Sequence, residues 1–362
     1  MRILFAPDYR TGNPYQSLLA DALCRLGVEV TFLRDYYNYF PLFRGSRTKN
    51  PDILHIHWPE EYFPRRKDYW NLIRVARYPA DLWLTMRNYR VVVTAHNLFP
   101  HNRANEPGIY HDIRYTLRRA QAIFVHSNVA RQQVCETFAI SSNHICTIPL
   151  GDHSIPIREP MPRDQARTRL GLPLNAKICL VFGMVSPYKG TDELVRFWAK
   201  NHVPHRLIMI GPIDSKAFAD RLNELAQGHD TIDLRLRNDW LDDATLRVWL
   251  SAADCSIFNY QSVLTSGAAA LSRSYGLPLL IPRRLKSVDL DEPHPHVFRF
   301  NSLDADFELE LVRALATPSD YNLACEWRRK TSWERVAELS ASVYRNVLNL
   351  EPQKKIKAEA TR

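Results

Sequence analysis

The stretch HIHWPEEYF at residues 55–63 sets two histidines, a tryptophan and two glutamates at the end of PDILHIHW, which otherwise reads as a buried strand. Period-2 spacing puts His55 and His57 on one face of that strand. A second strand, YRVVVTA, runs into His96, and His101 follows five residues later in the same loop. Histidines and carboxylates gathered at successive strand ends suit proton abstraction from a hydroxyl, so His57, Glu60, His96 and Asp8 are candidates for a general base. Zinc is the other use of such residues, but beyond His55 and His57 no HExxH or HxH-plus-carboxylate set on a helix frame accompanies them. No metal is expected.

Two segments farther along suit an anion. FGMVSPYKGTDEL at 182–194 reads as a strand ending in Gly183 and delivering Tyr188, Lys189 and Gly190 to a helix start. A lysine there reaches a phosphate as a point charge, and Gly190 lets backbone approach closely. In FNYQSVLTSGAAAL, Tyr260 ends a strand and Thr265, Ser266 and Gly267 precede a small-residue helix. Their hydroxyls and amides would stand at the positive end of its dipole, where a diphosphate fits; either hydroxyl also serves as an ordinary N-cap. The first loop, APDYRTGNPY, has one glycine, so neither a GxGxxG fingerprint nor a Walker lysine is present. A nicotinamide enzyme is disfavoured and a P-loop ATPase excluded. DLDE at 289–292 mimics a metal-nucleotide motif but lies among prolines and charges, and reads as a solvated turn.

Apolar runs and periodic segments alternate along the whole chain. RILFA, VEVTFL, ILHIHW, YRVVVTA and AIFVHS read as strands, with helices near 15–26, 68–86, 109–120 and 128–138 between and after them. KICLVFG, HRLIMIG, IDLRL, CSIFNY and LPLLI form a second such series, with helices from 191 and near 214–226, 242–252 and 267–275. The expectation is an α/β protein with two Rossmann-like, doubly wound domains facing a central cleft, strand ends and their loops lining it. The boundaries expected are 1–155 and 156–331, a closing helix within 332–350, and a polar tail 351–362. Pro156, Pro160, Pro162 and Pro173, with Pro149 just before, mark an interdomain linker.

The 362 residues allow two ordinary cores. No apolar run approaches the ~20 residues that span a bilayer, and MRILFAPDYR lacks the layout of a secretory signal. A cytoplasmic protein is expected, its six scattered cysteines reduced and mostly core. A net charge of +9 favours an anionic partner. Residues 65–90 mix seven basic side chains with Tyr69, Trp70, Tyr78, Trp83 and Tyr89. Such a helix suits an anionic membrane surface, or packs its apolar face on the sheet. No nucleic-acid module accompanies it, so nucleic acid is not expected.

The residues NPY at 13–15, LHIHWPE at 54–60, TAHNLFPH at 94–101, PYKG at 187–190 and SGAAALSRSYGLP at 266–278, in this order, resemble GT-B glycosyltransferases. The resemblance is nearest to the bacterial exopolysaccharide group that includes the GDP-mannose:glycolipid 4-β-D-mannosyltransferase of xanthan assembly. It implies a nucleotide-sugar donor on the C-terminal domain, an acceptor on the N-terminal domain, and no cofactor or essential metal. By position, Tyr188, Lys189, Gly183, Tyr260, Thr265, Ser266 and Gly267 look like donor-binding residues. Asn13, Tyr15, His57, Trp58 and His101 look like acceptor contacts, and Glu60 or His96 like the base. Met184 stands where the retaining pattern has an arginine, and Val263 and Leu271 where it has two glutamates, so the expected transfer is inverting. The expected reaction moves a hexose, mannose first, to a lipid-linked oligosaccharide at the inner face of the membrane. Two rivals stand beside it: a retaining UDP-sugar transferase with a soluble acceptor, and a basic-cleft protein that binds nucleotide or RNA without turnover.

Overall fold

The computed structural model describes residues 1–11, 13–34, 39–64, 72–100, 106, 108–285 and 294–349. His101, Tyr69, Trp70, the DLDE run and the tail 351–362 lie outside the described residues. The chain divides into two compact units, Met1–Val125 with Arg131–Ile148 and Trp333–Arg362, and His126–Ala130 with Pro149–Ser332.

The first unit runs β1 (Arg2–Ala6), α1 (Tyr15–Arg25), β2 (Glu29–Phe32), α2 (Pro41–Lys49), β3 (Ile53–Ile56), α3 (Leu72–Asn88), β4 (Arg90–Thr94), α4 (Ile109–Arg119), β5 (Ala122–Val125), α5 (Asn128–Phe138) and β6 (Ile145–Thr147). Its sheet has the order β2-β1-β3-β4-β5-β6, and every pair is parallel. The second unit runs α6 (Arg163–Leu170), β7 (Ile178–Phe182), α7 (Thr191–Lys200), β8 (Arg206–Pro212), α8 (Lys216–Ala226), β9 (Ile232–Arg237), α9 (Asp243–Ala252), β10 (Cys255–Ile257), α10 (Gly267–Ser274), β11 (Leu279–Pro282), β12 (Val297–Phe300), α11 (Phe307–Ala316) and α12 (Tyr321–Lys330). Its sheet, also all parallel, has the order β12-β11-β10-β7-β8-β9. The closing helix α13 (Trp333–Asn349) returns to the first unit and packs on α1.

Parallel strands are buried on both faces and therefore read as continuous apolar runs rather than alternating ones. Strand β7, ICLVF, shows why: Ile178, Leu180 and Phe182 enter one core cluster while Cys179 and Val181 enter the other. Each sheet also reverses its strand order once. In the first unit the reversal lies between β1 and β3, and in the second between β7 and β10. At such a point the loops leaving the two carboxyl ends diverge to opposite faces and open a crevice.

The proline-rich stretch 151–175, read as an interdomain linker, belongs to the second unit. It carries α6 and places Ile157, Met161, Ala166 and Leu172 in the second unit's core. Arg167 is 2% exposed, because Asp254 pairs with its Nη2 at 2.7 Å and the Ala252 carbonyl accepts from its Nε. Of the six free cysteines only Cys179 and Cys255 are buried; Cys24 and Cys325 are exposed, so most are not core.

Candidate active site

The loops at both reversal points hold the residues singled out from the sequence. In the second unit β7 ends at Gly183, whose φ of +89° turns the chain out of the sheet. A short 3-10 turn, Pro187–Lys189, follows, and Gly190 at φ +60° opens α7. Any side chain at Gly190 would collide with Asn259, whose backbone oxygen lies 2.5 Å from where a Cβ would stand. The Asn259 amide donates to the Gly190 carbonyl at 3.1 Å and to Glu193 at 3.2 Å. Gln261 donates to both Glu193 oxygens at 2.9 Å, and its backbone N–H to the Tyr188 carbonyl. The loop after β10 is thus stitched to the loop after β7, which fixes Lys189 between them.

The Lys189 ammonium lies 5.4 Å from the Tyr260 ring centroid and 5.9 Å from that of Tyr188, and a Cβ on Gly183 would stand 3.5 Å from it. Among the described residues no carboxylate pairs with it within 4.0 Å. Burial without a counter-charge disfavours the charged form and lowers its pKa to about 8. The same burial pushes Tyr188 up to about 12. Ser266 caps α10, its hydroxyl accepting from Ala269 N–H at 3.2 Å and meeting the Tyr260 hydroxyl at 3.2 Å. Lys189 and the start of α10 are therefore joined through Tyr260.

Three residues here escaped the sequence reading. Asn259 and Glu193 are the stitching pair just described. His153 packs against Gly267 at the start of α10, its ring 3.8 Å from a built Cβ, and its Nδ1–H donates to the Gly151 carbonyl at 3.0 Å. Burial lowers its pKa and favours the neutral ring. The run Gly151-Asp152-His153 was the available signal, but only tertiary packing brings it to α10.

In the first unit, the loop after β1 meets the loop after β3. Tyr9 packs on Trp58 at 4.9 Å between centroids, and its hydroxyl donates to Glu61 at 2.8 Å. Trp58 stacks on His96 at 4.5 Å with 12° between the planes, and His96 stacks on His57 at 5.8 Å. His55 is held from both ring nitrogens, by Tyr344 at 2.7 Å and Thr94 at 2.8 Å. Glu60 and His96 line one cavity of about 20 Å³, enough for a single water. His57 is fully buried and Tyr15 is 1% exposed, packed edge-on against His57, His96 and Trp333. Neither can touch a ligand as an acceptor contact would; they are the floor beneath Trp58 and His96. Asn13 accepts from the Tyr15 N–H at 2.9 Å and so shapes the start of α1.

Residues 3–151 match the model of Glycosyltransferase Family 4. No curated protein sequence matches the chain. Among solved structures, the sucrose-phosphate synthase of Thermosynechococcus elongatus is 15% identical over 96% of this chain and 98% of that one, with a TM-score of 0.72. Anabaena HepE in complex with UDP-glucose is 11% identical over 96% and 100%, at 0.69. The catalytic domain of starch synthase IV from Arabidopsis thaliana, bound to ADP and acarbose, is 15% identical over 96% and 99%, at 0.66. The fold is GT-B. By this fold and by the match over residues 3–151, the chain is similar to Glycosyltransferase Family 4.

Proposed function

We propose that the protein transfers mannose from GDP-mannose, with inversion, to a lipid-linked oligosaccharide. The observation that carries the donor half of this reading is Lys189, a half-buried cation with no carboxylate partner among the described residues, seated at the switch point of the second sheet. A charge partly withdrawn from water without a partner is costly, and an arriving diphosphate removes that cost. The ammonium and the first amides of α10 then stabilise the charge that builds on the leaving diphosphate. Thr265 and Gly267 flank the Ser266 cap there.

On the acceptor side, a sugar hydroxyl attacks the anomeric carbon from the face opposite the departing diphosphate, and its proton passes to Glu60. His96, stacked on Trp58, is the other base candidate; we assign it to positioning, on the view that Trp58 would meet a sugar ring. Surface association draws support from α3, where Trp83 is 47% exposed with Arg87 4.7 Å over its ring, while Tyr78 is buried and bonded to Thr116. Among the described residues no helix is long and apolar enough to cross a membrane.

A UDP-glucose donor is the second reading, favoured by the complex of Anabaena HepE with that nucleotide sugar. The test is turnover of GDP-mannose and of UDP-glucose with a lipid-linked disaccharide, the anomer of the product read by proton NMR. GDP-mannose consumption giving the inverted anomer supports the proposal. Consumption of UDP-glucose alone, or retention, overturns it.

A further inference from the structure

The edge of the first sheet holds a second cationic site. A cleft of about 680 Å³ opens between edge strand β2 and helix α2, lined by Val30–Leu33 on one side and the α2 face from Pro41 to Lys49 on the other. Four cations border it: Arg10, Arg34, Arg44 and Lys49. They come from three separate places, the loop after β1, the segment after β2, and α2, so their convergence is a property of the fold and not of a local charge run.

The cleft is a built feature. Gly45 lets α2 lie close to the strand, because a Cβ there would stand 2.4 Å from Leu33 Cδ1 and that side chain would have to move. Asp81 anchors the other end of α2, its carboxylate accepting from the N–H groups of Leu42 and Phe43 at 3.0 and 2.9 Å. Arg10 is held in place on two sides. Asp8 grips its guanidinium through Nε and Nη2 at 2.8 and 2.9 Å, and the Phe32 ring lies 3.8 Å beneath it. Asp8 also reaches Arg34 at 3.4 Å and is the carboxylate paired with the cleft's cations. Arg44 and Lys49 have no carboxylate within 4.0 Å among the described residues, which leaves the α2 side with uncompensated positive charge. Thr31 and Thr48 add hydroxyl groups to the lining.

We propose that this cleft binds a phosphoryl or diphosphoryl group, at a site separate from the donor diphosphate at Lys189. Arginines that present planar donor pairs from different directions suit phosphate oxygens, and a cleft of this volume suits a group larger than an ion. In an enzyme that glycosylates a lipid-linked sugar the group is the acceptor's own diphosphate or the headgroup of an anionic phospholipid; only this choice of source rests on the acceptor reading above.

The test is calorimetric titration of the full chain with pyrophosphate, for the wild type and for Arg44→Ala/Lys49→Ala. Both side chains are exposed, and the melting temperature without ligand checks that the variant is folded. Wild type binds pyrophosphate at two sites and the double variant at one, while nucleoside diphosphate affinity does not change. Losing the two cations should weaken the lost site by about tenfold or more for each. Two undiminished sites in the variant overturn the proposal. A preload of phosphatidylglycerol vesicles decides the source. If the vesicles displace one pyrophosphate the site takes a lipid headgroup, and if they do not it takes the acceptor diphosphate. A wild type that binds pyrophosphate in the cleft but turns over no lipid-linked acceptor leaves the cleft standing and removes the acceptor reading.

Discussion

Lys189 carries the proposed donor chemistry at the residue scale, and its pH behaviour follows from its setting. Its pKa in the folded protein is lowered to about 8 from 10.5, so the native state disfavours the ammonium. The sign follows: the stability penalty is present in full below about pH 8 and is relieved as pH rises from there toward 10.5. A diphosphate favours the ammonium and raises the pKa again, so binding takes up a proton above about pH 8 and affinity falls there with rising pH. Titrations in buffers of different ionisation enthalpy read that uptake directly; no buffer dependence at pH 8.5 would contradict it. Glu60 makes a separate claim. Glu60→Gln should lower kcat by about 100-fold or more with donor affinity unchanged, since a general base acts in the transition state alone. Full activity in that variant removes Glu60 as the base. Both residues stood out as candidates in the sequence because strand ends announce themselves. What sequence could not show is exposure. His57 and Tyr15 have the right types in the right loops, yet tertiary packing buries them, and Lys189 gains its meaning from Tyr188 and Tyr260, which lie 72 residues apart in sequence.

At the scale of elements, the strands were the readable part. Buried parallel strands are apolar on both faces, so RILFA, VVVT, ICLVF and RLIMI stand out from any surroundings. The elements missed were α2, β6, α6, β12, α11 and α12. Helix α2, PLFRGSRTK, is mostly polar and held by Asp81 and by contact with Leu33, neither of which its own sequence reveals. Helix α6 was hidden by neighbouring prolines that suggested a linker, and it is fastened by the Arg167–Asp254 pair. Asp254 also accepts from the Ile178 N–H at 2.7 Å, so it ties α6 to the first residue of β7. Asp254→Ala should therefore destabilise the fold by about 3–5 kcal/mol, because it leaves the Arg167 charge buried and unpaired. Urea denaturation measures this; a loss below 1 kcal/mol, read as a shifted midpoint at constant slope, would show that the pair contributes little.

For the whole molecule, two sheets of the same design reverse strand order once each, and each reversal gathers residues singled out from the sequence. One carries a cation suited to a diphosphate, the other a stacked Trp58 and His96 beside a carboxylate. Fold class was legible because alternating apolar runs and helical periods repeat through the chain. Donor choice was not, because the pockets for base and sugar are shaped by loops whose sequence carries no code. The central claim, that Lys189 receives the donor diphosphate, is tested most directly by thermal denaturation of wild type and Lys189→Ala with GDP, UDP and ADP. A ligand that binds the native state alone raises the melting temperature. GDP should stabilise the wild type, and Lys189→Ala should lose most of that rise while its melting temperature without nucleotide stays the same or increases. An equal rise with GDP in both proteins would contradict the account.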